Sequence, residues 1–322
     1  MDIRKYARSS RSVRFKATLD GMTAHANELA VDVRGLRKQY GDVTAVDGID
    51  LGIRRGEVFG LLGPNGAGKS TTVEILQGNR ARDGGEVSVL GADPGRRATR
   101  AWRSRVGIVW QDESAPAELT VRETVRHFAR YYPKPRNPEE VLALVGLREK
   151  AGSRIKALSG GQRRRLDVAL GVIGGPELLL LDEPTTGFDP AARRQFWELI
   201  RTLADEGTTI LLTTHYLEEA EALADRLAVI ANGRVVAEGE PAALRDRHGT
   251  EATVEWTEPD GTPRAERTGT PTRAVAELMR RFDGEIPGLR VSRPTLEDVY
   301  LRLTGQSDEA GQAGRITQED ER

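Results

Sequence analysis

Cysteine is absent from the 322-residue sequence, which excludes disulfides, thiolate metal sites and a cysteine nucleophile. Long apolar runs are missing too. Nothing approaches the ~18–20 uninterrupted apolar residues of a membrane-spanning helix, and the richest run, Leu178 to Leu181, is only strand-length. Nor is there an excess of one charge: 48 Lys and Arg stand against 49 Asp and Glu, a formal net charge of -1. That balance leaves no global basic field for non-specific nucleic-acid binding, so nucleic acid is not expected as a partner. A secretory leader is not expected either, because Arg4, Lys5, Arg8, Arg11, Arg14 and Lys16 are followed by no apolar segment. Residues 1–28 read as a disordered basic tail. Met22 makes 1–21 a candidate over-long gene start.

What is present suits about two domains at roughly 150 residues each. From Leu29 to about Gly239, short Val/Ile/Leu runs alternate with helical stretches, the pattern of an α/β fold with a mainly parallel sheet. Buried strands are expected at Glu57–Leu62, Arg105–Trp110, Leu178–Leu181, Thr208–Thr213 and Arg226–Ile230. Between the second and third lies a helical insertion, Leu119 to Gly174, with a Pro-rich break at Pro133, Pro135 and Pro138. Beyond Pro241 a smaller α/β module is expected. Its parts are a hairpin, Glu251–Trp256 with Thr262–Thr268, turned at Pro259-Asp260-Gly261, then helix Arg273–Phe282, strand Leu289–Ser292 and helix Leu296–Leu303. The polar residues 306–322 read as a disordered tail.

The strongest local signal is Gly63-Pro64-Asn65-Gly66-Ala67-Gly68-Lys69-Ser70-Thr71. It satisfies G-x-x-x-x-G-K-[ST] between an apolar strand and a helix, the context a phosphate-binding loop requires. The glycines let successive N–H groups turn toward phosphate oxygens, and the helix N-terminus adds its positive end. Lys69 is then placed to bridge β- and γ-phosphates and Ser70 to ligate Mg²⁺. A second signal is Leu178-Leu179-Leu180-Leu181-Asp182-Glu183, a buried strand ending in two carboxylates. Ligands of open α/β sheets bind at the carboxyl ends of strands. Asp182 suits a hard cation that wants oxygen ligands. Glu183 is the candidate general base or water-orienting group for attack on a γ-phosphate.

A third motif, Leu158-Ser159-Gly160-Gly161-Gln162, precedes a helical run and, taken singly, is an ordinary loop and helix cap. With the other two, in this order and spacing, the chain resembles the ATP-binding subunits of ATP-binding-cassette (ABC) transporters over roughly Leu29 to Glu240. The resemblance implies a P-loop NTPase cassette with a mainly parallel core sheet, N-terminal antiparallel strands and a helical subdomain at about 112–174. It further implies an active ATPase using ATP and Mg²⁺. Tyr40 matches the family's adenine-stacking aromatic, and Gln111 the glutamine that contacts Mg²⁺ and the attacking water. Asp189, in Gly187-Phe188-Asp189-Pro190, matches the loop that reaches across the dimer, with Phe188 where Leu is more usual. His215 matches the switch histidine of the γ-phosphate. Ser159 and Gly161, with neighbours Gly160 and Gln162, would complete the ATP site of an opposing cassette. His25, His127 and His248 match nothing. The implied partners are a second cassette, as a homodimer, and a membrane-spanning permease subunit, with this chain peripheral at the cytoplasmic face of the membrane.

The end of the chain, Pro294-Thr295-Leu296-Glu297-Asp298-Val299-Tyr300-Leu301-Arg302-Leu303-Thr304-Gly305, resembles the closing motif of the daunorubicin/doxorubicin-resistance type of exporter ATPase, and Gln162-Arg163-Arg164-Arg165-Leu166 points the same way. The Arg run also reads as a solvated helix face. An exporter of drugs, antibiotics or lipids is therefore expected. The competing class is a non-transport ABC ATPase acting on ribosomes or nucleic acid, but the second cassette, zinc-binding cysteines or long coiled coils that mark such proteins are not in this sequence.

Overall fold

The structure, a computed structural model, describes residues 29–109, 118–248, 251–282 and 284–305. The expected tails, 1–28 and 306–322, lie outside the described residues. Two long antiparallel strands, β1 (Leu29–Tyr40) and β2 (Val43–Arg54), open the fold, followed by β3 (Val58–Leu62), β4 (Gly84–Val89) and β5 (Val106–Val109). After the helical region come β6 (Leu178–Asp182), β7 (Thr209–Thr214), β8 (Arg226–Ala231) and β9 (Arg234–Gly239), and the C-terminal part adds β10 (Ala252–Thr257), β11 (Pro263–Thr268) and β12 (Arg290–Ser292). Three sheets result, ordered β2-β1-β4, β5-β6-β7-β3-β8-β9 and β11-β10-β12. The central one is parallel except for the antiparallel pairing of β8 with β9.

The central strands read as unbroken apolar runs because both faces of this sheet are covered. Leu179 and Leu181 pack with the helices Val121–Ala129, Pro138–Leu144, Gly160–Val172 and Pro190–Asp205, whereas Leu178 and Leu180 pack with the N-terminal sheet and helix Lys69–Leu76. All four leucines are fully buried, and each such side chain stabilises the fold by about 1.5–3 kcal/mol. Within the helical region the expected proline break falls between Val121–Ala129 and Pro138–Leu144. Pro138 itself starts a helix: it follows the N-cap Asn137, where a missing N–H costs nothing. The lower bound expected for this subdomain, 112, lies outside the described residues.

Register places the chemistry. Leu62 of β3 is level with Thr214 of β7, and Asp182 of β6 is level with Thr213. The residues that follow each strand, Gly63, Glu183 and His215, therefore leave the sheet at one edge.

In the C-terminal part, β10 and β11 pair around a turn closed by Gly261 N–H donating to Glu258 O (2.8 Å), with Gly261 at φ +87. That left-handed angle suits glycine. Val254, Trp256, Ala274, Leu278 and Ile286 form a small core of their own. Helices Pro241–His248 and Leu296–Thr304 do not join it. Leu244, Leu296 and Tyr300 pack instead with Leu62, Leu227 and Val229 of the central sheet. The expected unit 241–305 is thus divided in its packing, its two ends against the cassette and its middle separate.

Candidate active site

The phosphate loop runs from buried β3 into helix Lys69–Leu76. Gly68 is its N-cap, at φ +103, and supplies no side-chain cap. The first N–H groups of the helix have no intrahelical acceptor, so they are available to an anion. A Cβ at Gly68 would lie 2.3 Å from the Ala45 carbonyl oxygen, and one at Gly63 would lie 2.4 Å from that of Ile230. Both positions therefore need glycine for close backbone approach. Asn65 and Gly66 are exposed at the tip, Pro64 and Thr71 are half-buried, and Ala67 is buried. Ala67 N–H donates to Pro64 O at 3.2 Å, which tightens the curl.

Lys69 is 4% exposed, and its ammonium donates to the loop's own carbonyls, Gly63 O at 2.7 Å and Pro64 O at 3.1 Å. Its Nζ stands 3.7 Å from Glu183 Oε1. Burial pulls the ammonium below the ordinary lysine range, while Glu183 and Asp182 oppose that pull. Glu183 in turn lies 3.3 Å from His215 Nδ1. Its backbone is left-handed, at φ +43, a conformation that costs a non-glycine residue energy. Two bonds from its N–H hold it there, to Thr213 O (3.2 Å) and Thr213 Oγ1 (3.0 Å).

Asp182 and Ser70 face each other, with Ser70 Oγ 3.4 Å from Asp182 Oδ1. The Thr213 hydroxyl also donates to Asp182 Oδ1. One carboxylate and one hydroxyl form a hard oxygen set. No group of three or more His, Cys, Asp or Glu that could hold a metal occurs among the described residues. These residues fit Mg²⁺, which dehydrates reluctantly and is bound through one or two protein oxygens plus substrate phosphates.

Other expected residues lie elsewhere. Ser159 caps helix Gly160–Val172 in a capping box: its Oγ accepts from Gln162 N–H at 3.3 Å and Gln162 Oε1 accepts from Ser159 N–H at 3.1 Å. Asp189 caps helix Pro190–Asp205, accepting from Ala191 and Ala192 N–H at 2.9 Å each. Phe188 stacks edge-on against Phe196, ring centroids 5.8 Å apart. Ser159, Gly160, Gly161, Gln162 and Asp189 together line a groove of about 500 Å³ to which no phosphate-loop residue contributes. Tyr40, at the end of β1, is 39% exposed, with the Lys38 ammonium 5.3 Å and the Arg80 guanidinium 5.2 Å from its ring centroid. Gln111 lies outside the described residues.

Residues 46–186 match the family described as ABC transporter. The Nod factor export ATP-binding protein I of Ralstonia nicotianae is 43% identical over 303 residues, spanning 86% of this chain and 94% of that protein. The chain belongs to the ATP-binding subunits of ABC transporters. As such it is an ATPase whose turnover is coupled to transport. The protein of the same name from a Rhizobium strain is 41% identical over 308 residues, covering 88% of this chain and 99% of that one. Among solved structures, an ATP-binding cassette in a dimeric post-hydrolysis state with ADP and Pi superposes on this ABC subunit with a TM-score of 0.59 at 25% identity, over 65% of this chain and 98% of that one. No helix among the described residues is long and apolar enough to cross a membrane.

Two side chains of the candidate site, Thr213 and Arg164, carry no motif signature in the sequence of this ABC subunit. Thr213 bonds both Asp182 and the Glu183 backbone. A threonine two residues before the matched histidine was the available signal. Arg164 is 8% exposed and donates to Asp182 O (2.9 Å) and Pro184 O (3.0 Å), which pins the turn that carries Glu183. The Arg run is therefore not a solvated face throughout, since its middle member is buried.

Proposed function

We propose that this chain is the ATP-hydrolysing motor of an exporter and that the phosphate loop and the carboxyl ends of β6 and β7 form its catalytic centre. The observation that carries this reading is the Lys69–Glu183–His215 cluster, with contacts of 3.7 and 3.3 Å set by strand register. Lys69 leaves its two loop carbonyls to bind β- and γ-phosphate oxygens, aided by the N–H groups of Gly66 to Thr71. Ser70 and Asp182, with Gln111, would hold Mg²⁺, which would supply charge neutralisation at the phosphate oxygens. Glu183 orients the attacking water and takes its proton, and its left-handed backbone aims the carboxylate at that water. His215 donates to the γ-phosphate. Tyr40 stacks on the adenine.

Ser159 and Gly161 act on the nucleotide of a second cassette, and Asp189 crosses between the two. Their separate groove within one chain supports that assignment. ATP then joins two copies of residues 29–240, and hydrolysis releases them. The chain sits peripherally at the cytoplasmic face, bound to a membrane-spanning permease through the helical subdomain. Export is the transport direction in the names of the relatives, which are Nod factor export proteins and not drug-resistance ones. The cargo class, whether drug, antibiotic or lipid, is set by the membrane partner.

Affinity purification of the full chain from detergent-solubilised membranes tests the role. Recovery of a polytopic membrane protein, released when the helical subdomain is altered, is the expected result. Stable association with ribosomes or DNA instead would overturn it.

A further inference from the structure

Four residues beyond His215 in the chain stands an acidic residue with no part in the reading above. Glu219, in the first turn of helix Leu217–Leu223, is 0% exposed. Its carboxylate faces the hydroxyls of Thr214 and Thr185 and the indole N–H of Trp197, with Arg193 and Arg164 near enough to act through charge. Yet neither carboxylate oxygen closes a hydrogen bond of good geometry among the described residues, nor does Thr185 Oγ1 or Trp197 Nε1. A buried carboxylate whose oxygens close no hydrogen bond is costly. Burial accordingly pushes the Glu219 carboxyl above its ordinary range, against the pull of those donors and of Arg193. An apolar side chain would fill this space with less cost.

The donors belong to segments that each carry a residue of the proposed site. Thr185 is two residues beyond Glu183. Thr214 immediately precedes His215, and its Oγ1 accepts from Tyr216 N–H at 2.9 Å. Trp197 and Arg193 lie on the helix capped by Asp189, and the Arg193 guanidinium sits 4.6 Å over the ring of Tyr216, the neighbour of His215. Arg164, on the helix capped by Ser159, holds the carbonyls on either side of Glu183.

We propose that Glu219 is a positioning residue for ATP hydrolysis: its buried carboxylate lies where the His215 segment, the Glu183 turn and the helix that begins at Asp189 meet, and it fixes their relative placement once their donors close on it. The inference rests on the roles given above to Glu183 and His215. Small shifts of the Asp189 or Ser159 helices, such as docking of a second cassette would impose, bring the donors of Thr185 and Trp197 onto the carboxylate. Glu183 and His215 are then set relative to one another, and the residue acts on turnover without touching nucleotide.

The test compares steady-state ATP hydrolysis and thermal melting of the full chain with those of Glu219→Leu, Glu219→Gln and Glu183→Gln. Glu219→Leu keeps the packing and removes every acceptor. It is expected to melt at or above the parent temperature and to keep KM for ATP within ~2-fold, while kcat falls ~100-fold, the scale of small misplacements at a reacting centre. Glu219→Gln, which retains one acceptor oxygen, recovers part of this and stands ~10-fold below the parent. A merely structural role would instead move melting temperature, KM and kcat together, and that pattern overturns the inference. So does a parental kcat in either Glu219 variant. If the Leu variant does not fold, the isosteric Gln variant alone decides. An inactive Glu183→Gln beside a fully active Glu219 variant removes this inference only, whereas an active Glu183→Gln removes the catalytic reading beneath it as well.

Discussion

The two ends of the central sheet handle charge in opposite ways. At the amino end, cations and carboxylates neutralise one another. Glu177 accepts from Arg55 Nη1 at 2.8 Å and Arg105 Nη2 at 2.9 Å, and Arg226 donates to Glu57 at 2.9 Å and also bonds Glu238. Those two arginines hold the Glu177 carboxyl down at about 2, Arg105 contributing most. At the carboxyl end, Lys69 is buried against backbone carbonyls, Glu183 is bent into a left-handed conformation 3.7 Å from it, and the buried oxygens of Glu219 close no hydrogen bond among the described residues. The same scaffold pairs its charges at the amino end and leaves them incompletely satisfied at the end where the nucleotide site is proposed.

Substitutions at the two ends should therefore differ in kind. The largest effect is expected from Lys69→Ala. Loss of a charged donor to the phosphates should lower kcat/KM for ATP by ~10³-fold or more, measured by steady-state hydrolysis, with melting temperature unchanged or raised because a buried cation is gone. Next comes Gly68→Ala. A Cβ 2.3 Å from Ala45 O, on a backbone at φ +103, should cost about 1–3 kcal/mol through overpacking with further strain from the left-handed backbone. Nucleotide titration and thermal melting of that variant should both weaken, because the loop must open to admit the methyl group.

The smallest effect belongs to the amino end. The Glu177 side chain is 43% exposed, so solvent screens its pairs, and Glu177→Gln should cost no more than about 1 kcal/mol in denaturant unfolding with turnover unaltered. Its sign with pH is fixed by a folded pKa below the ordinary one. The stability contributed by Glu177 is complete above pH 4.5 and is lost as pH falls toward about 2, so parent and variant should converge in that window. A turnover defect in Glu177→Gln, or none in Lys69→Ala, would erase the contrast between the two ends.

Much of this was legible in the chain itself. Leu178 to Leu181 is apolar and short, as a strand covered on both faces would be, and Gly63 to Thr71 needs only its strand–helix flanks to read as a phosphate loop. The C-terminal turn at Pro259-Asp260-Gly261 was likewise local. What escaped depends on neighbours brought in by register. Thr213 matters because β7 runs level with Asp182, and nothing in a Thr-Thr-His string announces that. Arg164 could not be told from Arg163 and Arg165 until one helical direction proved to face the Asp182 turn. The left-handed backbone of Glu183 is held by two bonds that its N–H donates to Thr213 of another strand. The division of 241–305 was hidden for the same reason, since the partners of Leu296 and Tyr300, Leu62 and Leu227, are far away in sequence.

Glu183→Gln in the full chain tests the central claim most directly, with ATP binding and ATP turnover measured on the same preparation. The amide keeps the shape and removes the proton acceptor, so ATP should bind as in the parent while kcat falls by ~10²–10⁴-fold, the scale of losing a general base. Turnover near the parental rate with binding intact would contradict the account.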